Sequence, residues 1–141
     1  MEDKRNLITI LISQHRALQE DLKAAAGEIN GGKAADKILA DLMKFKADLV
    51  KHLELENGVF YVELLAEMKK KGQDITKTEQ FIDEMKAIGD TVMKFLESYD
   101  SEAKISQGME NFQTELPQII DALNLRIESE ESGVYAYWGL F

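Results

Sequence analysis

Apolar residues recur at three-then-four spacing along four stretches of the chain, and only short breaks separate those stretches. The first stripe is Ile8, Leu11, His15, Leu18, Leu22 and Ala25, and the second is Leu42, Leu49, His52, Glu56 and Val59, with Phe45 and Phe60 beside it. Phe81, Met85, Ile88, Val92, Phe95 and Tyr99 form the third, and Leu116, Ile119, Leu123, Arg126, Glu130 and Val134 the fourth. Each stripe is one face of an amphipathic helix that must be covered by its neighbours. The breaks fall at residues 30–33, 70–76 and 99–108. No strand-like alternation competes, and short connections favour antiparallel neighbours. The pattern therefore predicts an all-α, up-down-up-down antiparallel four-helix bundle. At 141 residues the chain has the length of one domain, so residues 1–141 are read as a single unit.

Two local signals refine the boundaries. Thr76 and Glu79 have capping-box spacing and predict the start of the third helix. Pro117 lacks an amide donor and disfavours helical geometry at Leu116, so the fourth helix is expected either to begin near Thr114 or to bend there.

Composition narrows the function classes. The net charge is −9, from 26 acidic and 17 basic residues spread along the chain, so no basic patch is available for nucleic acid or anionic lipid. With no cysteine, a metal would have to be held by histidine, carboxylate, water or methionine. The N-terminus carries only a six-residue apolar run before Ser13, too short for a signal-peptide core, and nothing approaches the ~18 apolar residues of a membrane span. A soluble, cytoplasmic protein is expected, with no nucleic-acid or membrane partner.

The apolar stripes carry an odd set of polar residues: both histidines of the chain, Glu56, Arg126 and Glu130. An uncompensated buried carboxylate costs several kcal/mol, so something must offset this set. Their depths agree with convergence. His15 lies 16 residues before the Gly31 turn and His52 21 beyond it, a mismatch of roughly 7 Å at 1.5 Å per residue. Met85 and Arg126 are similarly matched about Ile105. One layer can hold all of them.

One histidine on the first helix and His-x-x-x-Glu on the second, within a four-helix bundle, resembles the hemerythrin-like family of HHE cation-binding domains. The likeness runs over essentially the whole chain and rests on "SQHRALQEDL", "KHLELENGVFY" and "LNLRIESEESGVYAYW". It implies two irons bridged by carboxylates, and functions in oxygen carriage, oxygen or nitric oxide sensing, and iron handling. The first half supplies His15, His52 and Glu56 as the pattern asks. In the second half, aligning "HLELE" with "RIESE" puts Arg126 where a histidine would stand and keeps Glu130 as the second carboxylate. Aligning "HRALQEDL" with "MKAIGDTV" sets Met85 opposite His15. A one-residue shift would nominate Glu131 instead. Glu130 is preferred because it shares a helical face with Leu123 and Val134.

The missing histidines would all belong to one of the two metals. His15, His52, Glu56 and Glu130 remain as a ligand set for a single ion, iron first, with manganese or zinc also admissible and water in any open position. Arg126 cannot ligate, because its guanidinium offers only donors, but its charge can replace that of the second metal. Two other readings stay open. One is a metal-free ionic core in a degenerate bundle that serves protein–protein interaction. The other is a dinuclear site completed by ligands not foreseen here.

Enzymatic activity is not expected, since no nucleophile–base pair or glycine-rich phosphate loop is present, although redox activity at a metal site stays open. A small diatomic ligand would be the partner of such a site. Tyr61 and Tyr135 follow the two motifs at matching positions; they either lie near the metal layer, where they would affect redox chemistry, or, as the preferred expectation, pack at the bundle wall with wet hydroxyls. The aromatic C-terminus "GVYAYWGLF" either offers a surface for a homodimer or protein partner, or folds back over the bundle end.

Overall fold

A computed structural model describes residues 2–31 and 34–138. Its helices are α1 (Glu2–Gly31), α2 (Ala35–Leu55), α3 (Tyr61–Lys70), α4 (Thr76–Ser98), α5 (Glu102–Gln107), α6 (Met109–Ser132) and α7 (Val134–Trp138). A π-helical turn, Glu56–Phe60, joins α2 to α3 without a break, so these three segments form the second long rod of the bundle. α1 packs on α2 and α6, and α4 on α6 and α2, which closes the antiparallel four-helix ring. No strand occurs among the described residues.

Departures from the sequence reading have physical causes. The third break is not wholly irregular, because Ser101 accepts a hydrogen bond from the Lys104 amide at 3.1 Å and starts the short α5. The Thr76 capping box is not formed. Thr76 already lies inside α4, and Asp74 Oδ1 accepts from its amide at 3.0 Å and from its hydroxyl at 2.8 Å. The fourth rod begins at Met109 rather than near Thr114, with the exposed Pro117 carried inside it. The C-terminal aromatic segment folds back. Val134, Tyr135 and Trp138 are buried with Leu11, Phe60, Leu64 and Met68, and the Tyr137 hydroxyl donates to Gln73 Oε1. Two of the four aromatics of this segment, Tyr135 and Trp138, are therefore buried against the bundle, Tyr137 is partly covered, and residues 139–141 lie outside the described residues.

The core falls into two apolar clusters. One runs through Leu18, Leu22, Phe45, Leu49, Val92, Phe95, Phe112 and Leu123, and the other through Leu11, Phe60, Leu64, Ile82, Val134 and Trp138. Between them sits a polar layer. His15, His52, Glu56, Arg126 and Glu130 are each no more than 3% exposed, so the convergence expected from their depths is present.

The π turn explains one exchanged pair in the second stripe. Val59, expected inside, is 38% exposed, whereas its neighbour Phe60 is fully buried. In an α-helix residues five apart diverge by about 140°, but i→i+5 bonding brings them over one another. Here the Tyr61 amide bonds back to the Glu56 carbonyl, and Glu56, Phe60 and Tyr61 all turn inward.

Candidate metal centre

Five side chains from three rods meet in the polar layer, and each carboxylate divides its two oxygens between two sides. On one side, Glu56 Oε2 lies 3.3 Å from His52 Nε2, and Glu130 Oε1 lies 3.2 Å from His15 Nε2. On the other, Arg126 Nη2 donates to Glu56 Oε1 at 2.6 Å, and Arg126 Nε to Glu130 Oε2 at 3.3 Å. The third arm of the guanidinium, Nη1, donates to the Met85 carbonyl at 2.8 Å. Met85, set opposite His15 by the sequence alignment, thus contributes its backbone oxygen to Arg126.

The histidine tautomers follow from their outer partners. His52 Nδ1 is 2.7 Å from Gln14 Oε1, and His15 Nδ1 is 2.8 Å from Glu131 Oε2. Both partner oxygens can only accept, so each Nδ1 carries the proton and each Nε2 presents a lone pair to the centre. The structure also separates the two candidate glutamates: Glu130 enters the layer, while Glu131 stands behind His15 and is held by Arg16 Nη2 at 2.6 Å. The ring centroids of His15 and His52 are 4.6 Å apart.

Electrostatics reinforce this division. Burial lowers the His15 pKa despite its bond to Glu131, which keeps the imidazole neutral and its lone pair free. Burial pushes both carboxyls up, but for Glu56 the hydrogen bond from Glu130 and the charge of Arg126 reverse the effect, leaving it well below the usual range. Glu130 is held well above it by burial and by the adjacent Glu56. Arg126 remains charged, since Glu130 and Glu56 outweigh its desolvation.

Tyr61 and Tyr135 do not leave their hydroxyls wet. Tyr61 donates to Glu130 Oε2 at 2.5 Å and lies 3.2 Å from Glu56 Oε1, both on the arginine side. Tyr135 lies on the histidine side, donating to Glu56 Oε2 with its oxygen 3.2 Å from His15 Nε2. Burial, followed by the charges of Glu56 and Glu130, raises both phenol pKa values. Their inward turn was hidden by irregular backbone. The π turn swings Tyr61 in, and the break at Gly133 starts α7 and does the same for Tyr135.

Two buried atoms of the layer, His52 Nε2 and Glu130 Oε1, have no hydrogen-bond partner. They belong to residues that border a cavity of about 10 Å³, the room taken by one water, whose wall also includes His15, Arg126, Gly89 and the apolar Leu18, Leu49 and Val92 but not Glu56. Donor atoms of His15, His52, Glu56 and Glu130 all lie within 4.8 Å of one another. Two ligands of one ion bound at about 2.1 Å are at most about 4.2 Å apart, so modest side-chain movement brings all four into range. Imidazole and carboxylate suit iron, manganese and zinc, and the donor set therefore fits a transition metal.

Gly89 was not singled out by the sequence. A Cβ there would stand 2.7 Å from Arg126 Nη1, so the glycine in α4 leaves the space that the guanidinium fills. The buried face of α4 is turned accordingly, with Ile82, Gly89 and Leu96 inside and Phe81 and Ile88 only partly covered.

Fold and centre together define a helical bundle with a buried histidine–carboxylate cluster at mid-height. The hemerythrin HHE cation-binding domain family matches residues 6–138, nearly the whole chain, and the protein belongs to that family. No curated protein and no solved structure matches it significantly. No helix among the described residues is long and apolar enough to cross a membrane.

Proposed function

We propose that this protein is a hemerythrin-like module that binds one metal ion through His15, His52, Glu56 and Glu130, with Arg126 in the place of a second cation. The observation that carries the reading is the division of the carboxylates, each with one oxygen toward an imidazole lone pair and the other toward the guanidinium. A buried arginine that merely paired with glutamates would not need two histidines with their Nε2 atoms aimed at the same carboxylates from the opposite side. Nor would it leave His52 Nε2 and Glu130 Oε1 without partners.

Iron is the first choice of ion, with manganese or zinc as alternatives. When bound, a redox-active ion would supply electron transfer and a binding position for a small diatomic molecule, so the module suits oxygen or nitric oxide sensing, carriage, or metal handling. The chain itself holds the imidazoles in their metal-ready tautomers through Gln14 and Glu131. Arg126 neutralises one carboxylate throughout, and the two apolar clusters exclude bulk water from the layer.

The competing reading is a metal-free bundle that serves a protein partner, and the three hydrogen bonds of Arg126 favour it. Elemental analysis of tag-free protein, prepared without chelator and then reconstituted separately with iron, manganese and zinc, tests the choice. Binding of one ion per chain is expected. Failure to retain any of the three would overturn the metal reading.

A further inference from the structure

We infer that Tyr135 is a fifth protein ligand of the ion, binding through its phenol oxygen. The inference rests on the metal reading above and deepens it. Tyr135 is 3% exposed, and its oxygen is 3.2 Å from His15 Nε2 and in hydrogen-bonding contact with Glu56 Oε2. Both atoms belong to the histidine side of the layer, where the ion would sit. Tyr61, the other tyrosine of the layer, touches only the two oxygens that face Arg126. One phenol is thus placed among the ligand atoms, and the other among the partners of the guanidinium.

The Tyr135 ring is fixed in that position. It stacks on the His15 ring at 5.4 Å and 16°, and Phe60 meets it edge-on at 5.2 Å and 89°. α7 delivers it there, anchored by Trp138, whose ring also meets Phe60 edge-on at 5.8 Å. A hydroxyl has one proton to donate, and here it faces two acceptors. An ion arriving between His15 Nε2 and Glu56 Oε2 would compete with that proton for both of them. Binding breaks the O–H bond, forms an oxygen–ion bond and releases the proton to solvent, with no change of oxidation state.

Charge also favours an added anionic oxygen. Glu56 and Glu130, once ionised, sum with Arg126 to a single negative charge, so a trivalent ion would leave a net charge of +2 buried in the core. A phenolate lowers that excess by one. Four side-chain donors also leave a six-coordinate ion short, and a fifth from Tyr135 narrows the gap.

Ferric iron provides the test, because phenolate bound to it absorbs visible light by charge transfer whereas imidazole and carboxylate ligands do not give that band. Protein loaded from ferric nitrilotriacetate and desalted is expected to be coloured, with tyrosinate modes in its resonance Raman spectrum. Tyr135→Phe should retain one ferric ion and lose the band, and Tyr61→Phe should keep it. Bound iron without the band in the unaltered chain, or a band that survives Tyr135→Phe, overturns the assignment and leaves the four-residue site standing. No retained iron, manganese or zinc overturns the metal reading and the Tyr135 assignment with it. Where Tyr135→Phe does not fold, a band kept by Tyr61→Phe supports the assignment, and a band lost with Tyr61→Phe overturns it.

Discussion

Arg126 and Glu56 meet at 2.6 Å, and the second oxygen of that glutamate faces His52, so one carboxylate links a permanent cation to an imidazole lone pair. In the metal-free protein the arginine is the main compensation for two buried acids. Arg126→Ala is expected to destabilise it by roughly 3–5 kcal/mol, the range for breaking a buried pair and stranding its partner. Urea unfolding of metal-free protein measures this. A change below about 1 kcal/mol would mean that water reaches Glu56 and Glu130.

Gly89 tests the same relationship from the opposite wall. An alanine in a helix interior normally stabilises by up to about 1 kcal/mol over glycine. Here its Cβ would meet Arg126 Nη1 at 2.7 Å, so Gly89→Ala is expected to destabilise by about 1–3 kcal/mol through overpacking. In an Arg126→Ala background the penalty should vanish, giving a coupling energy in a double-mutant cycle. Additive effects of the two changes would show that the glycine does not serve the guanidinium.

If Arg126 stands in for a cation, giving its place back to ligands should admit a second ion. Met85→His combined with Arg126→His restores imidazoles at the two positions where the second half departs from the first. Iron stoichiometry is expected to rise from one toward two per chain, read by elemental analysis. A stoichiometry that stays at one counts against the half-site view.

How far these relationships were legible in the sequence depends on backbone regularity. Where helices are regular, spacing alone placed His15, His52, Glu56, Arg126 and Glu130 on inward faces, and all five are buried. It also gave the bundle, because period and break positions leave few other ways to cover four stripes. Reading failed where the period changes, and also on the regular α4, where Ile82, Gly89 and Leu96 take the inner face and Phe81 and Ile88 are only partly covered. The π turn carries no local signature, so Val59 and Phe60 exchanged roles and Tyr61 was sent to the wall. Gly133, followed by a new helix, hid Tyr135 in the same way. Gly89 and Gln14 were missed for a different reason. Their roles depend on atoms far along the chain, Arg126 Nη1 and His52 Nδ1, and no pattern within one helix reports such a contact.

Gln14 and Glu131 hold the two imidazole tautomers, so their loss should weaken metal binding without removing a ligand. Gln14→Ala and Glu131→Ala are each expected to lower iron affinity by about 10–100-fold, the usual effect of removing a partner behind a ligating histidine. Competition with a chelator of known affinity measures it. Unchanged affinity in both variants would mean that the imidazoles need no orientation from behind.

The last prediction lies outside the polar layer. Asp21 is 6% exposed, its Oδ1 accepts from Lys44 Nζ at 2.7 Å, and its Oδ2 has no partner. Burial first, and then Asp48 beside it, push its pKa up from 3.8 to about 6. The folded chain therefore holds this proton more tightly than the unfolded one. The stabilisation is fully present below pH 3.8 and is lost as pH rises through about 6. Asp48, which the same contacts lower, acts in the opposite sense, but only below its ordinary value of 3.8. Asp21→Asn keeps an acceptor for Lys44 and removes the titration. Relative to this variant, the unaltered protein should lose on the order of 1–3 kcal/mol between pH 4 and pH 7. Urea unfolding of both chains across that range reads the difference. Parallel profiles would show that Asp21 titrates as it does in the unfolded chain.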